Sequence, residues 1–127
     1  MLMRFASLGS GSKGNATLIE AGDTLVLVDC GFTLKETRVR LAARGIELGQ
    51  LSAILVTHEH GDHIRGVGPV ARQAGCPVYS SFGTACAVED KPASLRNTQW
   101  QEVRPGRAFR IGELEGLPVL VPPDARE

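Results

Sequence analysis

The stretch Ser52-Ala53-Ile54-Leu55-Val56-Thr57-His58-Glu59-His60-Gly61-Asp62-His63 holds all three histidines of the chain at the end of a short apolar run. The pattern is H-x-H-x-D-H. Neutral imidazoles and an ionised carboxylate are the ligands that borderline divalent metals such as Zn²⁺ select, and two ions can share such a cluster. The competing reading, a solvated polar loop, leaves unexplained why a hydrocarbon strand ends in every histidine of the protein. The motif is therefore read as a metal site. The strand delivers His58 and His60 two residues apart, so that both can face one side of an extended segment. Asp62 and His63 open the following helix and turn back toward the same cavity. Glu59, between the ligands, faces away by alternation.

The rest of the chain supplies a scaffold of alternating type. Residues 3–8 read as a first strand, and residues 15–20 and 24–29 as two more, with Ala21-Gly22-Asp23 as the hairpin turn between them. Gly9-Ser10-Gly11-Ser12-Lys13-Gly14 matches G-x-G-x-x-G, but a dinucleotide fingerprint needs a helix directly after the loop, and here a β-rich segment follows. A phosphate-binding Walker loop is absent too, since Gly14 stands where Ser or Thr would follow Lys13. Thr33-Leu34-Lys35-Glu36 has the form of a capping box and opens a helix over residues 34–44 with Leu34, Arg38, Leu41 and Ala42 at helical spacing, closed by Gly45. Ile64, Val67, Val70, Ala71 and Ala74 mark a second helix over residues 63–74 that Gly75 ends, and residues 77–80 return as a strand. Beyond residue 98 the pattern predicts hairpins: 99–104 and 108–111 around a Pro105-Gly106 turn, then 117–121. Strands alternating with helices argue for an α/β fold with largely parallel pairing in its centre.

Composition narrows the class. A length of 127 residues, 43% hydrophobic and 22% charged, fits one globular domain. Fourteen basic and fourteen acidic residues cancel, so no global field recruits nucleic acid or an anionic membrane. The local basic bias at Arg104, Arg107 and Arg110 reads as a solvated hairpin face. Cys30, Cys76 and Cys86 are odd in number and lack C-x-x-C spacing, which argues against a disulfide framework or a zinc knuckle. Residues 1–8 lack an apolar leader segment and no run of 18 apolar residues occurs, so the expected location is the cytoplasm, away from the membrane.

Four segments together resemble the metallo-β-lactamase fold hydrolases, and most closely their YycJ/WalJ-like branch: Ser7-Leu8-Gly9-Ser10-Gly11-Ser12-Lys13-Gly14-Asn15, Leu27-Val28-Asp29-Cys30-Gly31, the 57–63 motif, and Pro122-Pro123-Asp124-Ala125. The resemblance implies the N-terminal half of an αββα sandwich, truncated after Glu127, and a hydrolase of phosphodiesters akin to DNA exonucleases. It implies that His58 and His60 hold one Zn²⁺ or Mn²⁺ ion and Asp62 and His63 a second, with Asp62 also orienting the attacking water. It aligns Pro123 with a histidine ligand of the family. Asp29 aligns with an aspartate near the family's metals, so it is either a buried turn-former or a group that orients a ligand histidine. Ser10, Ser12 and Asn15 line the cavity or simply build a tight loop.

The aligned half and Pro123 carry expectations of their own. The cluster should hold fewer than two ions per chain, weakly, and the 127-residue form should hydrolyse DNA poorly. The alternative to an enzyme is a non-catalytic half-domain that binds metal weakly or needs a partner to complete the fold. Residues 25–28 and 54–56 are apolar at every position, the mark of strands covered on both faces. One face is assigned to the two helices. The other should pack on a second sheet lying mostly outside this chain, so self-association is expected.

Overall fold

The structure, a computed structural model, describes residues 2–11, 13–57, 61–87 and 96–118, with positions 61, 62 and 87 described through their backbone only. A six-stranded sheet runs in the order β1-β2-β3-β4-β5-β6, formed by Met3–Gly9, Ala16–Ala21, Thr24–Val28, Ala53–Leu55, Val78–Ser80 and Trp100–Glu102. β1, β2 and β3 form an antiparallel meander, and β3 to β6 pair in parallel. The parallel half needs crossovers. They are supplied by α1 (Leu34–Ala42), α2 (Gly61–Ile64), α3 (Val67–Ala74) and α4 (Phe82–Ala87), with a 3-10 turn at Leu48–Gln50. β7 (Phe109–Ile111) and β8 (Leu114–Gly116) make a separate antiparallel pair.

The alternating faces of the central strands explain the layering. Leu27, Ile54 and Val78 sit in register across β3, β4 and β5. They pack with Leu41 of α1 and Val67 and Val70 of α3 in the main core. Each is fully or almost fully removed from water, and each such side chain contributes about 1.5–3 kcal/mol. The opposite row, Val26, Val28, Ala53, Leu55 and Tyr79, meets Ile111, Phe109 and Leu114 of the β7–β8 pair. That pair is anchored at its turn, where the Glu113 amide donates to Thr24 Oγ1 at 3.0 Å and the Asp23 amide to Glu113 Oε2 at 3.3 Å. The second layer, expected to lie mostly outside this chain, is thus supplied over the sheet centre by the β7–β8 pair, which corrects the expectation of an uncovered face there.

Several expectations are corrected. The Pro105-Gly106 hairpin does not form, because β6 joins the large sheet beside β5 and the tight turn falls at Gly112-Glu113. Of the expected 117–121 strand only residues 117 and 118 are described, and neither is in a strand; 119–121 lie outside the described residues, and β8 lies at 114–116. α4 was not anticipated: its helix opens on Ser81, whose Oγ accepts from the Thr84 amide at 3.1 Å. In α1 the buried positions are Thr37 and Leu41 rather than Arg38 and Ala42. Thr33 does cap that helix, but Glu36 turns its carboxylate onto Arg40 at 2.8 Å.

The helix expected over 63–74 is split at Arg65-Gly66, and the reason is close packing. The Gly66 amide donates to the Cys30 carbonyl at 2.8 Å, and a Cβ on Gly66 would lie 2.0 Å from the Phe32 carbonyl oxygen. No side chain fits there. Cys30, fully buried beside this junction, has its thiol pushed up to about 11 by burial, as has Cys76, so both stay neutral and inert at physiological pH. We expect Gly66→Ala to lower unfolding free energy by about 1–3 kcal/mol through overpacking. Urea unfolding with an unchanged slope checks it, and wild-type stability in that variant would show that the junction gives way freely.

Candidate metal centre

Asp29 ends β3 with φ of 63°, a left-handed conformation that Asp tolerates better than most residues. The kink takes its backbone out of the strand while its amide still donates to the Leu55 carbonyl at 2.7 Å. Its carboxylate is thereby aimed across the end of β4. Oδ1 accepts from the Thr57 amide at 2.7 Å and Oδ2 from the Thr57 hydroxyl at 2.6 Å. Oδ2 also lies 2.8 Å from Nδ1 of His63. Asp29 is 6% exposed. A buried carboxylate is costly unless hydrogen-bonded, and three donors meet that need. The turn-forming and orienting readings of Asp29 therefore describe one residue doing both.

The carboxylate fixes the imidazole. With Asp29 accepting at Nδ1, that nitrogen carries the proton and Nε2 presents the lone pair, the tautomer a metal-ligating histidine uses. The backbone is fixed as well, since the Cys30 amide donates to the His63 carbonyl at 2.7 Å. His63 belongs to the short helix α2 and is half-buried. Thr57 escaped the sequence reading, although it is the residue that couples the strand end to Asp29. A β-branched hydroxyl directly before the histidine cluster was the available signal.

The other sequence-selected residues are distributed as follows. His58 and His60 lie outside the described residues, as do Glu59, Ser12, Pro123 and the 119–127 segment; Asp62 is placed by its backbone in the first turn of α2. Asn15 closes the glycine loop: its Oδ1 accepts from the Gly11 amide at 3.0 Å, and its Nδ2 donates to the Gly11 carbonyl at 2.8 Å. Its own carbonyl accepts from the Gly31 amide at 3.0 Å, which brings the loop beside the Asp29 turn. Ser10 is exposed on that loop. Phe32 and Arg40 brace it from below, with the Arg40 guanidinium 4.1 Å over the Phe32 ring and bonded to the Leu8 carbonyl. A Cβ on Gly14 would lie 2.5 Å from that ring, so the loop glycine serves packing.

Among the described residues, no three His, Cys, Asp or Glu side chains gather closely enough to hold a metal ion. What the described part contributes is the oriented imidazole of His63 and the carboxylate behind it. That donor chemistry fits a divalent cation held jointly with the neighbouring H-x-H-x-D positions. No helix among the described residues is long and apolar enough to cross a membrane.

Known proteins place this arrangement. The chain is 34% identical over its full length to exodeoxyribonuclease YycJ of Bacillus anthracis, covering 48% of that protein. It is 40% identical over 114 residues to exodeoxyribonuclease WalJ of Streptococcus pneumoniae serotype 2, covering 88% of this chain and 42% of the relative. The chain thus spans about half the length of the relatives it matches. Among solved structures, metallo-beta-lactamase SMB-1 bound to 2-mercaptoethanesulfonate superposes with a TM-score of 0.71 at 22% identity, over 86% of this chain and 47% of that one. That likeness agrees with the mixed sheet and its crossovers as part of such a fold. The family description "Metallo-beta-lactamase superfamily" matches residues 9–124, and the chain belongs to that superfamily.

Proposed function

We propose that this chain carries the metal-binding half of a phosphodiester hydrolase that acts on DNA as an exonuclease. The observation that carries the reading is the Asp29–His63 contact at 2.8 Å, with Thr57 locking the same carboxylate. A buried carboxylate behind an imidazole is how proteins hold a ligating histidine in one tautomer and raise its basicity. His58, His60, Asp62 and His63 are the ligands in this reading, and Zn²⁺ or Mn²⁺ the ions. A divalent cation held there supplies the charge that acidifies water and offsets charge on a phosphate oxygen. The residues of the chain divide the remaining work. His63 is held by Asp29, Asp29 by Thr57, and Asp62 orients the attacking water. The named activity of the YycJ and WalJ relatives supports DNA as the substrate.

Metal titration tests the reading without requiring turnover. The chain stripped with chelator should take up Zn²⁺ or Mn²⁺ and lose that uptake in His63→Ala. Asp29→Asn should weaken binding by about 10–100-fold, because its amide cannot accept from Thr57 and His63 together. Nucleotide release from linear DNA, however slow, should depend on added metal and vanish in Asp62→Ala. Metal affinity indifferent to Asp29 would remove the central support.

A second property of the same chain follows from strand register, and we infer self-association through the sheet face opposite the helices. Phe5, Ile19 and Val26 are neighbours in one row across β1, β2 and β3. The β7–β8 pair covers Val26, yet Phe5 remains 61% and Met3 48% exposed on the outermost strand. Contiguous apolar surface of this kind marks an interaction site. Light scattering should show dimers or larger species that a Met3→Lys/Phe5→Lys double variant converts to monomers. A monodisperse wild-type monomer at high concentration would end that inference.

A further inference from the structure

Beside the Asp29–Thr57 contact lies an open cleft of about 490 Å³, and nothing in the catalytic reading above uses it. It is formed where the end of β4 faces the β6–β7 connection and the β8 end of the hairpin. Leu55, Val103, Pro105, Phe109 and Leu117 give it an apolar lining. Thr57, which directly precedes His58, stands on its wall, so the cleft begins where the metal motif begins. The Phe109 ring is fixed on two sides. It stacks on Tyr79 at 5.9 Å between centroids, and it lies against Gly116, where an added Cβ would come within 2.5 Å of it. The hydroxyl protons on the wall are used within the protein: Thr57 Oγ1 donates to Asp29, and Ser81 Oγ donates to Thr84 Oγ1 at 3.0 Å. The cleft therefore offers apolar contact and no hydroxyl proton with which to read a base edge. A second depression of about 320 Å³ adjoins it, shares Val103 and Phe109, and carries Arg104 paired with Glu102 at 3.1 Å and, beside them, exposed Arg107.

We propose that this cleft is a base subsite, which receives an unstacked nucleobase of a single DNA strand next to the phosphate presented to the metal motif. The proposal rests on the hydrolase reading for the identity of the ligand. Size, chemistry and charge agree on the occupant. The volume is at the scale of small-molecule pockets, about 300–1,000 Å³, and accommodates one nucleoside. The apolar walls of Leu55, Val103, Pro105 and Leu117 pack against the face of any base, because every base has an apolar π-face. Arg107 in the adjoining depression supplies the cation that the next phosphate along the strand requires. Apolar contact without a hydroxyl donor makes the subsite tolerant of sequence.

Binding measured in EDTA separates this proposal from catalysis. Fluorescence anisotropy would compare a labelled thymidine hexamer with an abasic hexamer of the same backbone. The base-bearing strand should bind about tenfold more tightly, and an adenosine hexamer should match it within about threefold. Leu117 is 60% exposed, so Leu117→Glu and Leu117→Trp are made at the surface; one charges the cleft and the other fills it. Both should erase the preference for bases while melting as the wild type does. Arg107→Glu should weaken both strands alike. Equal affinity for the two backbones, or a preference that survives both Leu117 variants, overturns the base subsite even if DNA is hydrolysed. A base preference without any metal-dependent hydrolysis would support the subsite and overturn the hydrolase reading instead.

Discussion

One buried carboxylate holds the functional end of this protein together. Asp29 receives the Thr57 amide, the Thr57 hydroxyl and the His63 imidazole on two oxygens, and its own amide is tied to Leu55. Three segments distant in sequence, the end of β3, the end of β4 and the start of α2, are thereby fixed to one point. Loss of any one donor leaves part of a buried charge unmet, at about 1–3 kcal/mol. The geometry of the histidine and the stability of the strand ends are accordingly a single property. A substitution at Thr57 acts on His63 through Asp29, which both of them contact.

The sheet gives that carboxylate its position. Parallel pairing of β3 with β4 and β4 with β5 brings their carboxyl ends to one edge, where ligands bind in open α/β sheets. The antiparallel β1–β2 meander extends the same sheet at the other side, and its glycine loop returns beside the Asp29 turn through the Asn15–Gly31 bond. Gly66 completes the arrangement from the helical side. Its lack of a side chain lets the α2–α3 junction rest on residues 30–32, so the histidine-bearing turn cannot drift from the carboxylate.

Much of this was legible in the sequence because it depends on local patterns. Runs such as Leu25-Val26-Leu27-Val28 and Ile54-Leu55-Val56 announce strands covered on two faces, and cores on both sides of the sheet are found there. The role of Asp29 was also within reach, as a charge at the end of such a run needs partners. Less legible was everything set by tertiary contact. The Pro105-Gly106 pair is a sound turn signal, yet pairing of Trp100–Glu102 with β5 overrides the local hairpin. The break at Gly66 is invisible to helical periodicity, since apolar spacing continues through it while the Gly66 amide bonds the Cys30 carbonyl instead of the helix. Thr57 was passed over for a similar reason: a threonine closing a β-rich run looks like propensity until its hydroxyl is seen on Asp29.

The two faces of the sheet carry different duties, and the division explains where substitutions would be felt. The face toward α1 and α3 buries Leu27, Ile54 and Val78 completely and owes its constancy to close packing. The opposite face is covered by a two-stranded pair tied down at its turn by Thr24 and Glu113 and through Phe109 to Tyr79. The hairpin side is the one that lines the cleft beside Thr57, and the helix side is the one where Gly66 meets residues 30–32 behind Asp29. A change in the β7–β8 pair therefore reshapes the cleft without touching the hydrogen bonds of Asp29, whereas a change at Gly66 acts on the turn that carries His63.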